Sequence, residues 1–332
     1  MKLHCIPILS ALFTSLVCFS NPATKISDNS PSSGIVIRWN DCEQTIDGFG
    51  IAQAGWAKEL FAFKNRKQVM DKMFGNDGLR LNILRGEIFP HYWENKEDKD
   101  FNLNDDINIE LCDSDFNNKS DDLLRRGQLW LTLEAKNKYH INKLVFSTWS
   151  APAWMKSNGK VSNGKLKPEC YQDFANYLAA FYKAYKSKGI TPYAISPSNE
   201  PGYAAPWNSS LWTADEMGKF ITSNLGPTFQ KENIPAKIIF GENPLWSVVM
   251  PQLKMVSSKD FTDTILQDYP EIKKFNLIAA GHGYSLSPDI MPIKVDKEYL
   301  KTPIIPFDAA EKAHIPVWIT EISDVTPVSY TH

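Results

Sequence analysis

Short apolar runs, most closing on a polar residue, alternate with stretches of helical spacing along this chain, and that alternation leaves few folds open. The runs are Gln44–Gly50, leading into a first strand, then Gly78–Arg85, Lys143–Thr148, Tyr193–Ile195, Ile238–Glu242, Leu277–His282 and Val317–Glu321. Between them Asp121–Tyr139 places Leu124, Gln128, Leu131 and Ala135 near one helical face. Tyr171–Lys188 does the same with Phe174, Tyr177, Leu178, Phe181 and Tyr185, and Gly189 stops it. Thr213-Ala214-Asp215-Glu216 is a capping box, predicting a helix that Gly226-Pro227 ends. Strands alternating with helices predict a parallel sheet wrapped by helices. At 332 residues with 43% hydrophobic content, the chain can fill one α/β barrel of roughly 250 residues and carry additions.

Two of the runs close on a glutamate in the same way. Ala194-Ile195-Ser196-Pro197-Ser198-Asn199-Glu200-Pro201 is a buried strand followed by a polar tip, and Val317-Trp318-Ile319-Thr320-Glu321 repeats the design. Cleaving an acetal between sugars needs one carboxyl group protonated, to donate to the leaving oxygen, and one ionised, to attack or stabilise the sugar cation. Glu200 and Glu321 can divide those roles, although either glutamate alone reads equally as a solvated strand end. Glu242 also ends a strand and is their rival. At the other strand ends stand Arg85, Trp149, His282 and Tyr284. Trp149, Trp154, Trp207 and Trp212 fall in loops on that face, where one or two flat rings suit the apolar faces of sugars.

Four motifs in order carry a resemblance. Gln44-Thr45-Ile46-Asp47-Gly48-Phe49-Gly50, Trp149-Ser150-Ala151-Pro152-Ala153-Trp154-Met155-Lys156, Ala194 to Pro201 and Trp318 to Glu321 together resemble glycoside hydrolase family 30. The resemblance implies a (β/α)8 TIM barrel with a side β-sandwich, and a retaining mechanism on a β-linked oligo- or polysaccharide, with glucosylceramide as the alternative substrate. It makes Glu200 the general acid/base and Glu321 the nucleophile, has Asn199 hydrogen-bond the sugar's 2-hydroxyl, and places His282 and Tyr284 facing the nucleophile. Arg85 is expected either to keep Glu321 ionised or to form a structural ion pair. Trp207 joins the substrate-binding set. The resembled enzymes continue with an eighth strand and most of the sandwich, whereas His332 follows soon after Glu321. The expectation is therefore a carboxyl-terminally truncated barrel, and a non-catalytic carbohydrate-binding fragment is the alternative function.

The remaining sequence sets the surroundings. A net charge of −2 supplies no field for nucleic acid or an anionic membrane surface. Met1–Ser20, a basic Lys2 before an apolar run too short to span a bilayer, predicts a secretory signal and hence a secreted, periplasmic or cell-surface protein. Residues 21–33 are a Ser-, Asn- and Pro-rich linker, 34–43 a strand that the resemblance assigns to the sandwich, and 44–332 the barrel. Cys5 and Cys18 fall in the leader, so Cys42, Cys112 and Cys170 allow one disulfide at most. No His, Cys or Asp cluster has metal-ligand spacing, and neither metal nor cofactor is expected. Asn95–Asp106 and Asp113–Asn118 are charged loops, and Asn118 and Asn208 open glycosylation sequons.

Overall fold

Seven strands form one parallel sheet in simple sequence order. They are β1 Gly50–Ala52, β2 Ile83–Ile88, β3 Lys143–Thr148, β4 Ala194–Ser196, β5 Lys237–Asn243, β6 Leu277–His282 and β7 Val317–Glu321. This computed structural model describes residues 45–53, 57–93, 122–247, 255–284 and 305–322, with positions 38, 40, 41, 96 and 97. The expected leader, the linker, the charged loops and the side strand, save those few positions, lie outside the described residues. So do Cys5, Cys18, Cys42, Cys112 and Asn118. The chain divides at Ile46, and all that follows concerns the unit from Asp47 onward.

Each crossover carries helix: α1 Ala57–Ala62 and α2 Arg66–Phe74 after β1, α3 Asp122–Tyr139 after β2, and α4 Tyr171–Ser187 after β3. A helix running from Ala214 to Lys231 follows β4, α7 Ser258–Asp268 follows β5, and α8 Asp308–Lys312 follows β6. The β4 crossover is α5 Ala214–Phe220, a π-helical turn Ile221–Leu225, and α6 Gly226–Lys231. Gly226-Pro227 therefore does not stop this helix, contrary to expectation. Proline is tolerated where a new helical turn begins, and the missing Cβ of Gly226 admits the Phe275 ring, whose Cζ would otherwise stand 2.3 Å away.

Side-chain alternation separates two cores. The outward faces of the strands pack on the helices: Phe146 on β3 meets Phe181 at 5.1 Å and Tyr185 at 4.9 Å, both from the buried stripe of α4. Inside the barrel Val145, Ala194, Ile239, Ile278 and Ala280 form a second cluster, flanked by Ile83, Tyr193 and Trp318. Asp47, just before β1, accepts from Trp318 Nε1 of β7 at 2.9 Å and pairs with Lys143 at 3.2 Å. The first and last strands are thus drawn towards each other and the barrel is nearly closed. Among the described residues no ladder joins β7 to β1, and Phe49 and Ile319 at these edges are exposed.

One strand differs from its expectation. β2 begins at Ile83, not Gly78, and continues past Arg85 to Ile88. Residues 78–81 close off α2 instead: Leu79 N–H donates to Lys72 O at 2.8 Å and Leu81 N–H to Met73 O at 3.0 Å, satisfying carbonyls the helix end leaves open. Cys170, the one described cysteine, is free and buried, and burial with the nearby Asp173 and Glu169 pushes its thiol up, which makes it inert.

Candidate active site

The carboxyl ends of the strands converge on one polar cluster, and backbone irregularities aim its side chains. Beyond β4, Asn199 N–H donates to Thr148 O on β3 at 2.7 Å and Glu200 N–H to Glu242 O on β5 at 3.1 Å, so both neighbouring strands hold the tip. Glu200 is held there with φ +48°, a left-handed conformation that costs about 1–3 kcal/mol and persists only where surrounding bonds impose it. On β5 the pairing with β6 skips Glu242, which bulges out of the ladder between Gly241 and Asn243. Gly241 makes this possible: its φ is +106°, and a Cβ would lie 2.2 Å from Ala280 O. A second shift, at the end of β6, sets His282 opposite Glu321.

Arg85 stands at the centre. Its Nη1 donates to Glu321 Oε2 at 2.7 Å, and its Nη2 to Asn199 Oδ1 at 2.6 Å and Glu242 Oε1 at 3.1 Å. Its guanidinium also lies over the Trp149 ring, 4.8 Å from the centroid. The Tyr284 hydroxyl donates to the other oxygen of Glu321. Glu242, wholly buried, further accepts from Ser147 Oγ at 2.9 Å. His282 Nδ1 meets Glu200 Oε1 at 3.1 Å, while its Nε2 is 3.9 Å from Glu242 Oε1.

Opposing effects fix these charges. Burial works to raise Glu321, but the Arg85 and His282 charges and the Tyr284 hydrogen bond outweigh it and hold the carboxyl below the ordinary range. Burial likewise opposes ionisation of Glu242, and Arg85 and His282 overcome it, leaving that carboxylate well below the usual range. For His282 burial disfavours the cation, yet Glu200 and Glu242 push it up to about 9. The ring is therefore an imidazolium at neutral pH, both nitrogens carry protons, and Nδ1 donates to Glu200.

Single ligand atoms of Glu200, His282 and Glu321 lie within 4.8 Å of one another. A small cation could fit that spacing, and three separate strands supply the ligands, so no sequence spacing reveals it. Both Glu321 oxygens are nevertheless committed, to Arg85 and Tyr284. The arrangement is better suited to two carboxylates facing a bond between them.

Of the residues expected at the site, Glu200, Glu321, Asn199, Arg85, Trp149, His282 and Tyr284 come together. Trp207 lies beyond Glu200, 54% exposed. Trp212 is a core residue instead, packed against Tyr171, Phe174 and Phe220. Trp154 packs on Trp93 and donates its indole N–H to Trp93 O at 2.9 Å. Glu242, the rival carboxylate, is sealed beneath the cluster and positions Arg85 and His282. Asn208, which opens the second sequon, acts on Glu87 and favours its carboxylate form. Ser147 and Glu87 escaped the sequence reading. Counting alternate residues along β2 and β3 would have found them, since Arg85 and Val145 point inward and Glu87 and Ser147 follow two places on.

Comparison with known proteins matches residues 46–274 to the glycosyl hydrolase family 30 TIM-barrel domain. A Caenorhabditis elegans protein assigned as a glucosylceramidase is 30% identical over 251 residues, 73% of this chain and 45% of that protein. An endo-1,6-β-D-glucanase of Neurospora crassa is 28% identical over 237 residues, 66% of this chain and 45% of the glucanase. The chain thus spans about half the length of these relatives. Among solved structures, an endo-β1,6-glucanase superposes with a TM-score of 0.63 at 22% identity, over 84% of this chain and 58% of that one. Xylanase C of Talaromyces cellulolyticus does so at 0.57 and 24%, over 73% and 54%. These two likenesses establish the barrel.

Proposed function

Because the chain belongs to glycosyl hydrolase family 30, we propose that it cleaves β-linked oligo- or polysaccharides with retention of configuration, Glu321 acting as nucleophile and Glu200 as general acid/base. The observation that carries this is the approach of Glu200 and Glu321 oxygens to within 4.8 Å. Retaining enzymes set their carboxyl groups about 5–5.5 Å apart, whereas inverting ones need roughly 6.5–9.5 Å to admit a water. In the first step Glu321 attacks the anomeric carbon while Glu200 protonates the departing oxygen. Bond formation cancels the charge on Glu321. Glu200 can then ionise without two carboxylates standing side by side, and it takes a proton from the water that releases the sugar. Because Asn199 Oδ1 accepts from Arg85, its amide nitrogen is the atom available to donate to the sugar's 2-hydroxyl.

A polymer fits better than a glycolipid. Trp207, exposed in the loop that follows Glu200 and packed edge-on against Tyr203, offers a flat apolar surface on which a further sugar unit of a chain can stack. The leader-like Met1–Ser20 supports action outside the cytoplasm. Following hydrolysis of β-glucan, xylan and glucosylceramide by proton NMR tests the reading: the β-anomer appears first and mutarotates later, and a polysaccharide is the best substrate. First appearance of the α-anomer, or oligosaccharide binding without turnover, would overturn it.

A further inference from the structure

A third carboxyl group faces the barrel mouth and takes no part in the mechanism above. Arg85 and Glu87 share the inward face of β2, because Leu84 and Ile88, which flank the pair on either side, belong to the outer core. Register pairs Glu87 with Ser147, whose hydroxyl bonds Glu242. Glu87 therefore lies one layer above Arg85, beside the strand that leads to Trp149. Its backbone is pinned on the outer side, where Gln128 accepts from its N–H and donates to its C=O, both at 2.8 Å. The residue remains partly accessible, and Asn208, in the loop that carries Trp207, favours its carboxylate form.

We propose that Glu87 is a specificity-determining residue that hydrogen-bonds a hydroxyl of the sugar ring reacting between Glu200 and Glu321. This rests on the glycosidase reading above and adds to it a named contact. Asn208 and Arg85 both favour the carboxylate form of Glu87, but burial outweighs them and pushes the group up to about 8. Below that pH Glu87 is a neutral acid with a proton to donate and an oxygen to accept. A neutral acid is also far cheaper than a carboxylate to cover with a sugar ring. Register on the inner face, a residue that burial leaves only partly accessible and a hydrogen-bonding group that this burial keeps neutral together describe recognition of a hydroxyl.

The test compares kcat/KM for wild type, Glu87→Gln and Glu87→Ala between pH 5 and pH 9.5, on an aryl β-glycoside and its monodeoxy analogues. Wild type loses activity above about pH 8 as the proton leaves Glu87. Glu87→Gln keeps a hydrogen-bond donor, stays within about threefold of wild type at pH 6, and moves the alkaline limb towards about 9, where His282 titrates. Glu87→Ala loses about tenfold, and the penalty for one monodeoxy substrate disappears in it. A loop-supporting role alone would leave every deoxy penalty unchanged in Glu87→Ala and the limb unmoved in Glu87→Gln, and either result overturns the proposal. Turnover by wild type that Glu87→Ala reproduces removes Glu87 alone. Absence of turnover on every β-glycoside removes the functional reading, and the role of Glu87 with it.

Discussion

Glu321→Gln lowers kcat/KM for aryl β-glycosides by on the order of 10⁴-fold or more and leaves the unfolding midpoint nearly unchanged. The amide has the shape of the carboxylate: its one oxygen can still accept from Arg85, and its NH2 group can donate to the Tyr284 oxygen once that hydroxyl turns, so the cluster keeps its geometry. What it lacks is the charge that attacks the anomeric carbon, and no neighbour replaces it: Glu242 is wholly buried and held by Arg85 and Ser147. Arg85 does not become an unpaired buried cation, because Glu242 remains beside it. Steady-state kinetics with a p-nitrophenyl β-glycoside, alongside urea unfolding, separate the two effects. Activity within a few-fold of wild type would mean that another group attacks.

Arg85→Met acts in the other direction, on stability first. Arg85 touches Glu321, Asn199 and Glu242, and its side chain is 4% exposed. Removing one partner of a buried pair strands the other, at a cost of about 3–5 kcal/mol. Lysine is no substitute, since one ammonium, a compact point charge on a flexible stem, cannot reproduce a planar fork shared among three acceptors. The pH dependence has a definite sign. Glu321 and Glu242 are held below their ordinary carboxyl range in the folded protein, so their contribution is present at neutral pH and lost as pH falls through their folded values. The gap between wild type and Arg85→Met, read from urea midpoints, is therefore full at pH 7 and narrows as the solution is acidified. A gap that is small at pH 7, or constant with pH, would show that Arg85 is not what holds the two carboxylates.

The strands were legible because most are short apolar runs closed by a polar residue, and Val317–Glu321 and Leu277–His282 fall where such runs predict. The two glutamates stood out for the same reason: each caps one of these runs. Less could be read where tertiary packing decides. Gly226-Pro227 has the composition of a helix stop, yet Phe275 packing against the glycine carries the helix through. Trp212 looks like any loop tryptophan until Phe174 and Phe220 close around it. Glu242 could be ranked as a carboxylate at a strand end, but its burial depends on a bulge that only the contact of Gly241 with Ala280 explains. Glu87 was hidden because Gly86 looks like the end of a strand, whereas Gly86 faces Gln128 and Phe146 and the strand runs on.

The central claim is that Glu321 forms a covalent bond to the sugar. A 2-deoxy-2-fluoro β-glycoside with a good leaving group slows both steps but lets the first outrun the second, so the intermediate accumulates. Proteolysis and mass spectrometry then locate the label. It is expected on the peptide containing Glu321 and absent from Glu321→Gln. A label on the peptide containing Glu200 or Glu242, or turnover with inverted product and no label, would contradict the account.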